Sequence, residues 1–441
     1  PGADGKLGLI WQDKSSAVIT LTWLTKDRLA ATHIKLPSTD GEVLAAATSD
    51  GAGNIYYYSI ETGDGAPDTS RKSTLFKADA AGALIKKVNP SGDKATGGLN
   101  MVQFASSLLN NSYAAALRVS GPRLGLMLGR KMHKSSDGLN HQGGIAVVFD
   151  TSTLAQIKNH GQTSGHSFGN ELGVNKDGEF LAIDLGDNYP RGINLHKFDG
   201  GTRQSRVVYT FKTRHGASAQ NPAGKTFPKY DAASTGGATY YQWSNDNDTY
   251  TELGGVVQTS GGYLVLFTGE RAPLDNAKVG SSLNTPRNIG FVLVREDYEN
   301  ATNKGTNIVS DDLVLSQGAE EKGGFYTFQG QWSEQRNKGV GWLTDYSTTD
   351  KNASRLRVAP LPGGEILLIW EEWSMTAYLG TWALKIDGAG KKVGAPTALG
   401  RLARLGRRVE PMVSASGEVY LPAGDKADKR LELMVIEAGA K

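Results

Sequence analysis

The chain has 441 residues, of which 56 are glycine, 15 are proline and none is cysteine, and its formal net charge is +3. The absence of cysteine excludes disulfides and thiolate metal sites. The 48 lysines and arginines are spread along the chain without the regular aromatic interleaving of a single-strand nucleic-acid groove, so nucleic acid is not the expected partner. No apolar run reaches the roughly 20 residues that span a bilayer, and no transmembrane segment is predicted.

A short unit recurs along the chain: a glycine, one variable residue, then an alternating apolar run that ends in a polar loop. Amphipathic helical periodicity is almost absent, and each unit is followed by a second strand-like run. Each pair therefore predicts an antiparallel hairpin, made of a glycine-led strand b and a following strand c. The copies begin at Gly5, Gly41, Gly121, Gly178, Gly262, Gly364 and Gly417, and the following runs are 17–24, 54–60, 144–149, 193–198, 290–294, 380–386 and 431–436.

The fourth copy predicts a complete four-stranded blade, with strand a at 170–174, b at 179–185, c at 193–198 and d at 206–212. The fourth and fifth copies also share a second signal. Each re-enters strand c through Pro-Arg-x-Ile, at 190–193 and 286–289, which favours common descent of the repeated units.

A repeated sheet unit of roughly 40 to 50 residues buries both of its faces by stacking radially on its neighbours. Over essentially its whole length the chain resembles β-propeller proteins of a secreted bacterial type. That resemblance implies an all-β fold, a seven-bladed β-propeller of four-stranded antiparallel blades, or six blades if one copy is a false match. No Trp-Asp blade ending, kelch pattern or sialidase box is present, so no named family matches. We expect one domain over 1–441, with inserted loops near 214–239 and 300–352.

The loops that join strands b and c carry acidic residues and are expected to share one face of the propeller. Converging carboxylates repel each other unless they bind a hard cation such as Ca²⁺ or accept hydrogen bonds from sugar hydroxyls. The alternative is that these residues are simply good turn formers. The acidic loop residues are Asp13, Asp50, Asp184, Asp187, Glu270, Glu371, Glu372 and Asp425.

Five residues are candidate metal ligands: Asp184, Asp187, His133, His141 and His166. The two aspartates suit Ca²⁺, whereas neutral imidazoles suit Zn²⁺ or Cu²⁺. The histidines lack the spacing of a strong metal motif. The alternatives are histidines that face solvent or bond the backbone, and an Arg191–Asp184 pair that pins the hairpin.

Trp373 and Tyr378 lie in a predicted loop over 371–379, beside Glu371 and Glu372. An aromatic face next to carboxylates suits stacking on a sugar ring while the hydroxyls are hydrogen-bonded. Tyr189 and Arg191 are further candidate ligand-binding residues. The alternative is that Trp373 belongs to the core.

The sequence therefore favours an extracellular or periplasmic recognition module that binds a carbohydrate or another polyhydroxylated cell-surface ligand. The alternative is a metal-assisted hydrolase or lyase, with carboxylates and histidines at the channel mouth. Binding is preferred because no acid, base and nucleophile can be assigned at fixed spacing.

Overall fold

The computed structural model describes residues 7–13, 18–25, 31–61, 73–90, 115–134, 140–165, 169–186, 192–210, 251–270, 286–296, 322–326, 332–336, 340–400, 404–405, 409–425 and 430–437. Every regular element in these ranges is a β-strand. None of these residues belongs to a helix that is long and apolar enough to cross a membrane.

The strands of the first three blades follow the chain order within each sheet. Sheet 1 contains β1 (Leu7–Gln12), β2 (Ile19–Leu24) and β3 (Ala31–Lys35). Sheet 2 contains β4 (Glu42–Ser49), β5 (Ile55–Glu61), β6 (Ser73–Ala78) and β7 (Leu84–Val88). Sheet 3 contains β8 (Ala115–Ser120), β9 (Arg123–Lys134), β10 (Asn140–Asp150) and β11 (Gln156–Gly165).

The later blades include one insertion and one divided strand. Sheet 4 contains β12 (Asn170–Val174), β13 (Phe180–Gly186), β14 (Gly192–Phe198) and β15 (Arg203–Thr210). Sheet 5 contains β16 (Thr251–Thr259), β17 (Gly262–Glu270), β18 (Arg287–Val294) and β21 (Val340–Trp342), and a separate hairpin of β19 (Lys322–Tyr326) and β20 (Trp332–Arg336) precedes β21. Sheet 6 contains β22 (Asn352–Pro360), β23 (Ile366–Trp373), β24 (Tyr378–Ile386) and β25 (Lys392–Gly400). In sheet 7, β26 (Arg404–Leu405) and β27 (Met412–Val413) both pair with β28 (Glu418–Asp425), which also pairs with β29 (Arg430–Glu437).

Seven antiparallel blades confirm the predicted all-β fold class and the blade number of a seven-bladed β-propeller. The fourth blade closely matches its predicted strands, and each following run of the repeat is a strand. Within the described residues the first blade has three strands instead of four. The predicted insertion at 214–239 lies outside the described residues, whereas the one at 300–352 includes β19, β20 and β21.

The chain divides into two compact units, residues 1–182 with 196–203 and residues 183–195 with 204–441. In the first unit the edge strands β4 and β8 pack together, above a core that includes Tyr56, Leu126 and Val147. In the second unit the edge strands β16 and β22 pack together in the same way. Sheets 5 and 6 share one apolar cluster, and sheets 6 and 7 share another.

The strands that follow the first two glycines are edge strands, so the prediction that they are strand b, the second strand of a blade, is wrong. β1 and β4 are each first in their sheets, and they pack side by side. The remaining five units lead the second strand of their sheets, as predicted. The glycine marks a sharp reversal before a strand, and the turn that carries the chain from sheet 1 into sheet 2 needs the same backbone as a turn within a sheet.

The described glycines that open the repeat all have positive φ, which explains why glycine recurs there. At Gly262, φ is +135° and an added Cβ would lie 2.1 Å from the carbonyl oxygen of Val294. At Gly121, φ is +55° and no heavy atom lies within 4 Å of an added Cβ.

We expect Gly262→Ala to lower the free energy of unfolding by about 2 kcal/mol more than Gly121→Ala, because it adds a backbone clash to the strain of a left-handed residue. Gly121→Ala is the matched control and should cost about 1 kcal/mol. Chemical denaturation of both variants measures the difference. Equal denaturation midpoints would contradict the steric reading of the turn.

Candidate functional site

The alternation of side chains along β23 determines which residues meet sheet 7. Leu367 and Ile369 pack with Leu405 in the cluster shared by sheets 6 and 7. Residues two apart on a strand share a face, so Glu371 and Trp373 continue this face at the end of the strand. The apolar core thus gives way to a charged and aromatic layer where β23 ends.

Glu371 is fully buried, and its carboxylate has four protein partners. Its oxygens accept hydrogen bonds from the backbone N–H of Leu405 at 2.7 Å and from Trp373 Nε1 at 2.8 Å. Arg404 Nε lies 3.3 Å from both oxygens, and Arg355 Nη1 lies 3.4 Å from Oε1. A charge can stay buried at low cost when it is paired and hydrogen-bonded in this way.

Two cations and two aromatic rings surround Glu371 and form, with it, what we call the Arg-Trp cluster: Glu371, Trp373, Tyr378, Arg355 and Arg404. The Arg404 guanidinium lies 3.9 Å from the Trp373 ring centroid and 5.2 Å from that of Tyr378. The two rings are 5.8 Å apart and tilted by 54°. The side chains of Arg355 and Arg404 are 20% and 34% exposed, so the cluster reaches the surface.

Burial lowers the pKa of Arg404 below its ordinary value, and the neighbouring Arg355 cation lowers it further, while Glu371 opposes both effects. A guanidinium nevertheless stays protonated in proteins. Its position over the Trp373 face is a cation–π contact, which is stronger when water is partly excluded.

Arg355 is held by an irregular backbone. Its φ is +54°, one of two positive values for non-glycine residues in the described ranges, and the pairing of β22 with β23 shifts register between Ser354 and Arg357. This bulge places the Arg355 N–H 2.7 Å from Glu252 Oε2, and its Nη1 donates to the Leu405 carbonyl at 2.7 Å. Strained residues of this kind persist where their surroundings fix them, often at ligand sites.

The charged layer continues from the Arg-Trp cluster into sheet 5. Glu252 accepts a hydrogen bond from Ser354 Oγ at 3.0 Å and lies 3.4 Å from Arg287 Nη1. Arg287 is the cross-strand partner of buried Glu270, and its N–H donates to Asn352 Oδ1 at 3.1 Å. Charged side chains therefore link the corresponding ends of sheets 5, 6 and 7.

The predicted loop over 371–379 is shorter than expected. Glu371 and Glu372 still pair with Thr381 and Gly380 across the sheet, and Trp373 pairs with Tyr378. Residues 374–377 alone form the loop. Glu372 points to the opposite face from Glu371, is buried, and forms a 3.6 Å ion pair with Lys351.

Among the acidic residues assigned to the rim, four are buried and two follow edge strands. Asp184, Glu270, Glu371 and Glu372 are buried. Asp50 follows the edge strand β4 and accepts hydrogen bonds within its own turn, at the end of sheet 2 away from the loop between β5 and β6. Asp13 likewise follows an edge strand, β1.

The candidate metal ligands are placed unevenly. Asp184 accepts a 2.8 Å hydrogen bond from Asn194 Nδ2. His133 and His141 are direct cross-strand partners, near the end of β9 and the beginning of β10. His166 and Asp187, with the ligand candidates Tyr189 and Arg191, lie outside the described residues. No group of three or more metal-binding side chains occurs in the described part of the chain.

Sequence reasoning identified Trp373, Tyr378 and Glu371 but missed Arg355 and Arg404. Arg404 lies in a basic run over 401–408 that indicated only charge. Nothing in the sequence around Arg355 indicates a bulge, because a positive φ at arginine follows from the surrounding contacts and not from its own preference.

No protein-family model matches the chain, and no curated protein matches it. Among solved structures, a post-proline cleaving enzyme from Rickettsia typhi has a TM-score of 0.47 at 7% identity, over 98% of this chain and 50% of that one. The chain thus spans half the length of that enzyme. The polysaccharide lyase Uly1 has a TM-score of 0.45 at 10% identity, over 90% and 79%. A PL25 ulvan lyase bound to -[GlcA(1-4)Rha3S]- has a TM-score of 0.44 at 9% identity, over 85% and 76%. The blades themselves define the class of protein, a seven-bladed β-propeller, and likenesses this distant add no function to it.

Replacing Glu371 tests whether it organises the cluster. We expect Glu371→Gln to lower the free energy of unfolding by about 3 kcal/mol, because two partly buried guanidiniums lose their carboxylate. Glu365→Gln is the matched control: it removes a more exposed partner of Lys385 at 3.5 Å and should cost less than about 1 kcal/mol. Chemical denaturation of both variants provides the comparison, and equal losses would show that Glu371 has no special structural role.

Proposed function

We propose that the Arg-Trp cluster binds a carbohydrate or another polyhydroxylated ligand, and that the protein is a recognition module of an extracellular or periplasmic setting. One observation carries this proposal. Partly buried aromatic rings lie beside guanidinium groups whose donors are incompletely used. Within the described residues Arg404 bonds Glu371 through Nε, and both of its terminal nitrogens have no hydrogen-bond partner there.

The two kinds of group suit the two faces of a sugar. Aromatic rings contact the apolar C–H face, and guanidinium nitrogens donate to hydroxyl oxygens. Arg404 and Arg355 lie over the Trp373 indole at 3.9 and 5.9 Å, so the surface offered to a sugar is the part of the indole that they leave uncovered, together with the tilted Tyr378 ring. This differs from the simple exposed platform expected from the sequence.

Binding is favoured over catalysis because the carboxylates of this region are already engaged. Glu371 is fully buried among four donors, and Glu372 is buried in an ion pair with Lys351. A general acid or base must come within hydrogen-bond reach of the proton that it transfers. Neither glutamate is placed to reach a ligand at the surface.

A metal-assisted hydrolase or lyase is the second candidate, and the pairing of His133 with His141 favours it. Neutral imidazole is a ligand that Zn²⁺ and Cu²⁺ bind. Ca²⁺ at Asp184 and Asp187 also stays a proposal.

Replacing Trp373 separates ligand contact from folding. On a glycan array, Trp373→Ala should bind its glycan more weakly than the wild type does, by about 1 to 3 kcal/mol, the range for aromatic stacking on planar ligands. Trp373→Phe keeps a ring beneath Arg404 but loses the hydrogen bond to Glu371, and it should retain most of the binding.

Trp23→Ala is the matched control, since Trp23 is also partly buried and its indole donates to the Ala80 carbonyl at 2.8 Å. This variant should bind as the wild type does. Thermal melts are measured for all three variants. Loss of stability without loss of binding in Trp373→Ala would assign Trp373 to the core and remove the main aromatic support for the proposal.

The metal candidate is tested by titrating Zn²⁺ into the protein in a calorimeter. One binding event that disappears in His133→Gln is expected if the cross-strand pair binds metal. His160→Gln is the control and should leave the titration unchanged, because His160 Nε2 is already engaged with the Asp199 carbonyl oxygen at 2.7 Å. A wild-type titration without binding heat would reject this candidate.

A further inference from the structure

We infer that the carbohydrate bound at the Arg-Trp cluster is acidic, and that Arg355 and Arg404 bind its carboxylate, as in a uronic acid. This inference rests on the proposed function and narrows it to a chemical class of ligand. It follows from the charge, the free donors and the rigidity of the two arginines.

The charges of the cluster do not cancel. Arg355 and Arg404 both contact the single carboxylate of Glu371, at 3.4 and 3.3 Å. The next carboxylates have other partners: Glu252 contacts Arg287 and the Arg355 N–H, and Glu372 contacts Lys351. Within the Arg-Trp cluster two guanidiniums therefore share one carboxylate, and they are close enough for Arg355 to lower the pKa of Arg404. An anion beside them would relieve that repulsion.

The donors that remain are those that suit a carboxylate. Arg404 uses its Nε edge on Glu371, and among the described residues this leaves the two terminal nitrogens of a planar group that binds carboxylates through two parallel hydrogen bonds. The neighbouring acceptors are used within the protein, since Glu371 takes hydrogen bonds from Leu405 and Trp373. A neutral sugar hydroxyl needs an acceptor as well as a donor, whereas a carboxylate needs donors alone.

Both arginines are held in place before any ligand arrives. Arg404 stacks on Trp373 at 3.9 Å, and Arg355 is fixed by the Leu405 carbonyl and by its bulged backbone. Ordering a free arginine side chain on binding costs affinity, so a preordered pair is suited to recognition. Their partial exposure leaves them accessible at the ends of sheets 6 and 7.

The test compares uronate oligosaccharides with their carboxyl-reduced, neutral forms by calorimetry on the full chain. Oligogalacturonate, alginate and chondroitin fragments are the acidic probes, and dextran sulfate is the sulfated probe. At least one acidic probe should bind about tenfold or more tightly than its reduced form, as charge-assisted hydrogen bonds imply. Its affinity should fall as NaCl rises.

Arg404→Gln should weaken binding of the acidic form more than binding of its neutral form, so that the ratio of acidic to neutral affinity falls towards one. Lys385→Gln is the control, because it removes the same charge from the other end of sheet 6 and should leave the ratio intact. Arg404→Lys keeps the charge without the planar fork and should give an intermediate ratio. Melting temperatures are measured for each variant.

The outcomes are distinguishable. Equal binding of acidic and neutral probes that is lost in Trp373→Ala would overturn this inference and leave the proposed function standing. Binding of dextran sulfate without binding of any uronate would overturn the choice of carboxylate. Failure of every probe to bind would reject both this inference and the proposed function.

Discussion

The burial of one carboxylate governs the end of the second unit. Glu371 lies on the same face of β23 as the apolar residues that pack between sheets 6 and 7. Its charge is therefore buried between these two sheets. A buried charge without partners would cost several kcal/mol. Two arginines, an indole and a backbone N–H supply those partners. The positions of Arg355, Arg404 and Trp373 follow from that requirement.

Because Glu371 must be buried, it supports the cluster from inside the protein, and other residues face a ligand. Glu371 is hidden, whereas the arginines and rings that it holds reach the surface. Polar groups held by buried partners lose little freedom when a ligand binds, and this lowers the cost of recognition. A site of this kind lies at the ends of regular strands and depends little on the short loop between β23 and β24.

The repeat could be recognised in the sequence because each copy combines two local signals. A positive φ before a strand favours glycine, and burial on one or both faces favours an alternating or continuous apolar run. These rules predicted the hairpins and the number of blades. They could not separate a turn within a sheet from a turn between sheets, and so Gly41 was assigned to the wrong strand.

The site was less accessible to sequence reasoning. Trp373 and Tyr378 were identified because aromatic residues beside glutamates are conspicuous. The burial of Glu371 was not, because it depends on the facing strand β26, more than 30 residues later in the chain. Arg355 could not be predicted either, since a bulge arises from the pairing of two strands and leaves no composition signal.

The contacts of Glu252 and Glu371 have a counterpart in the first unit. Glu252 accepts the N–H of Arg355, Glu371 accepts that of Leu405, and Gln12 accepts that of Leu44, in each case from one sheet to the first strand of the next and at 2.7 Å. The strand that donates the N–H has a bulge at Arg355 in sheet 6 and beside Leu44 in sheet 2. Such a contact ties the register of one blade to that of its neighbour. Within each unit the blades should therefore be inherited, exchanged or redesigned in adjacent pairs, because a blade transplanted alone would leave the first strand of its neighbour without an acceptor.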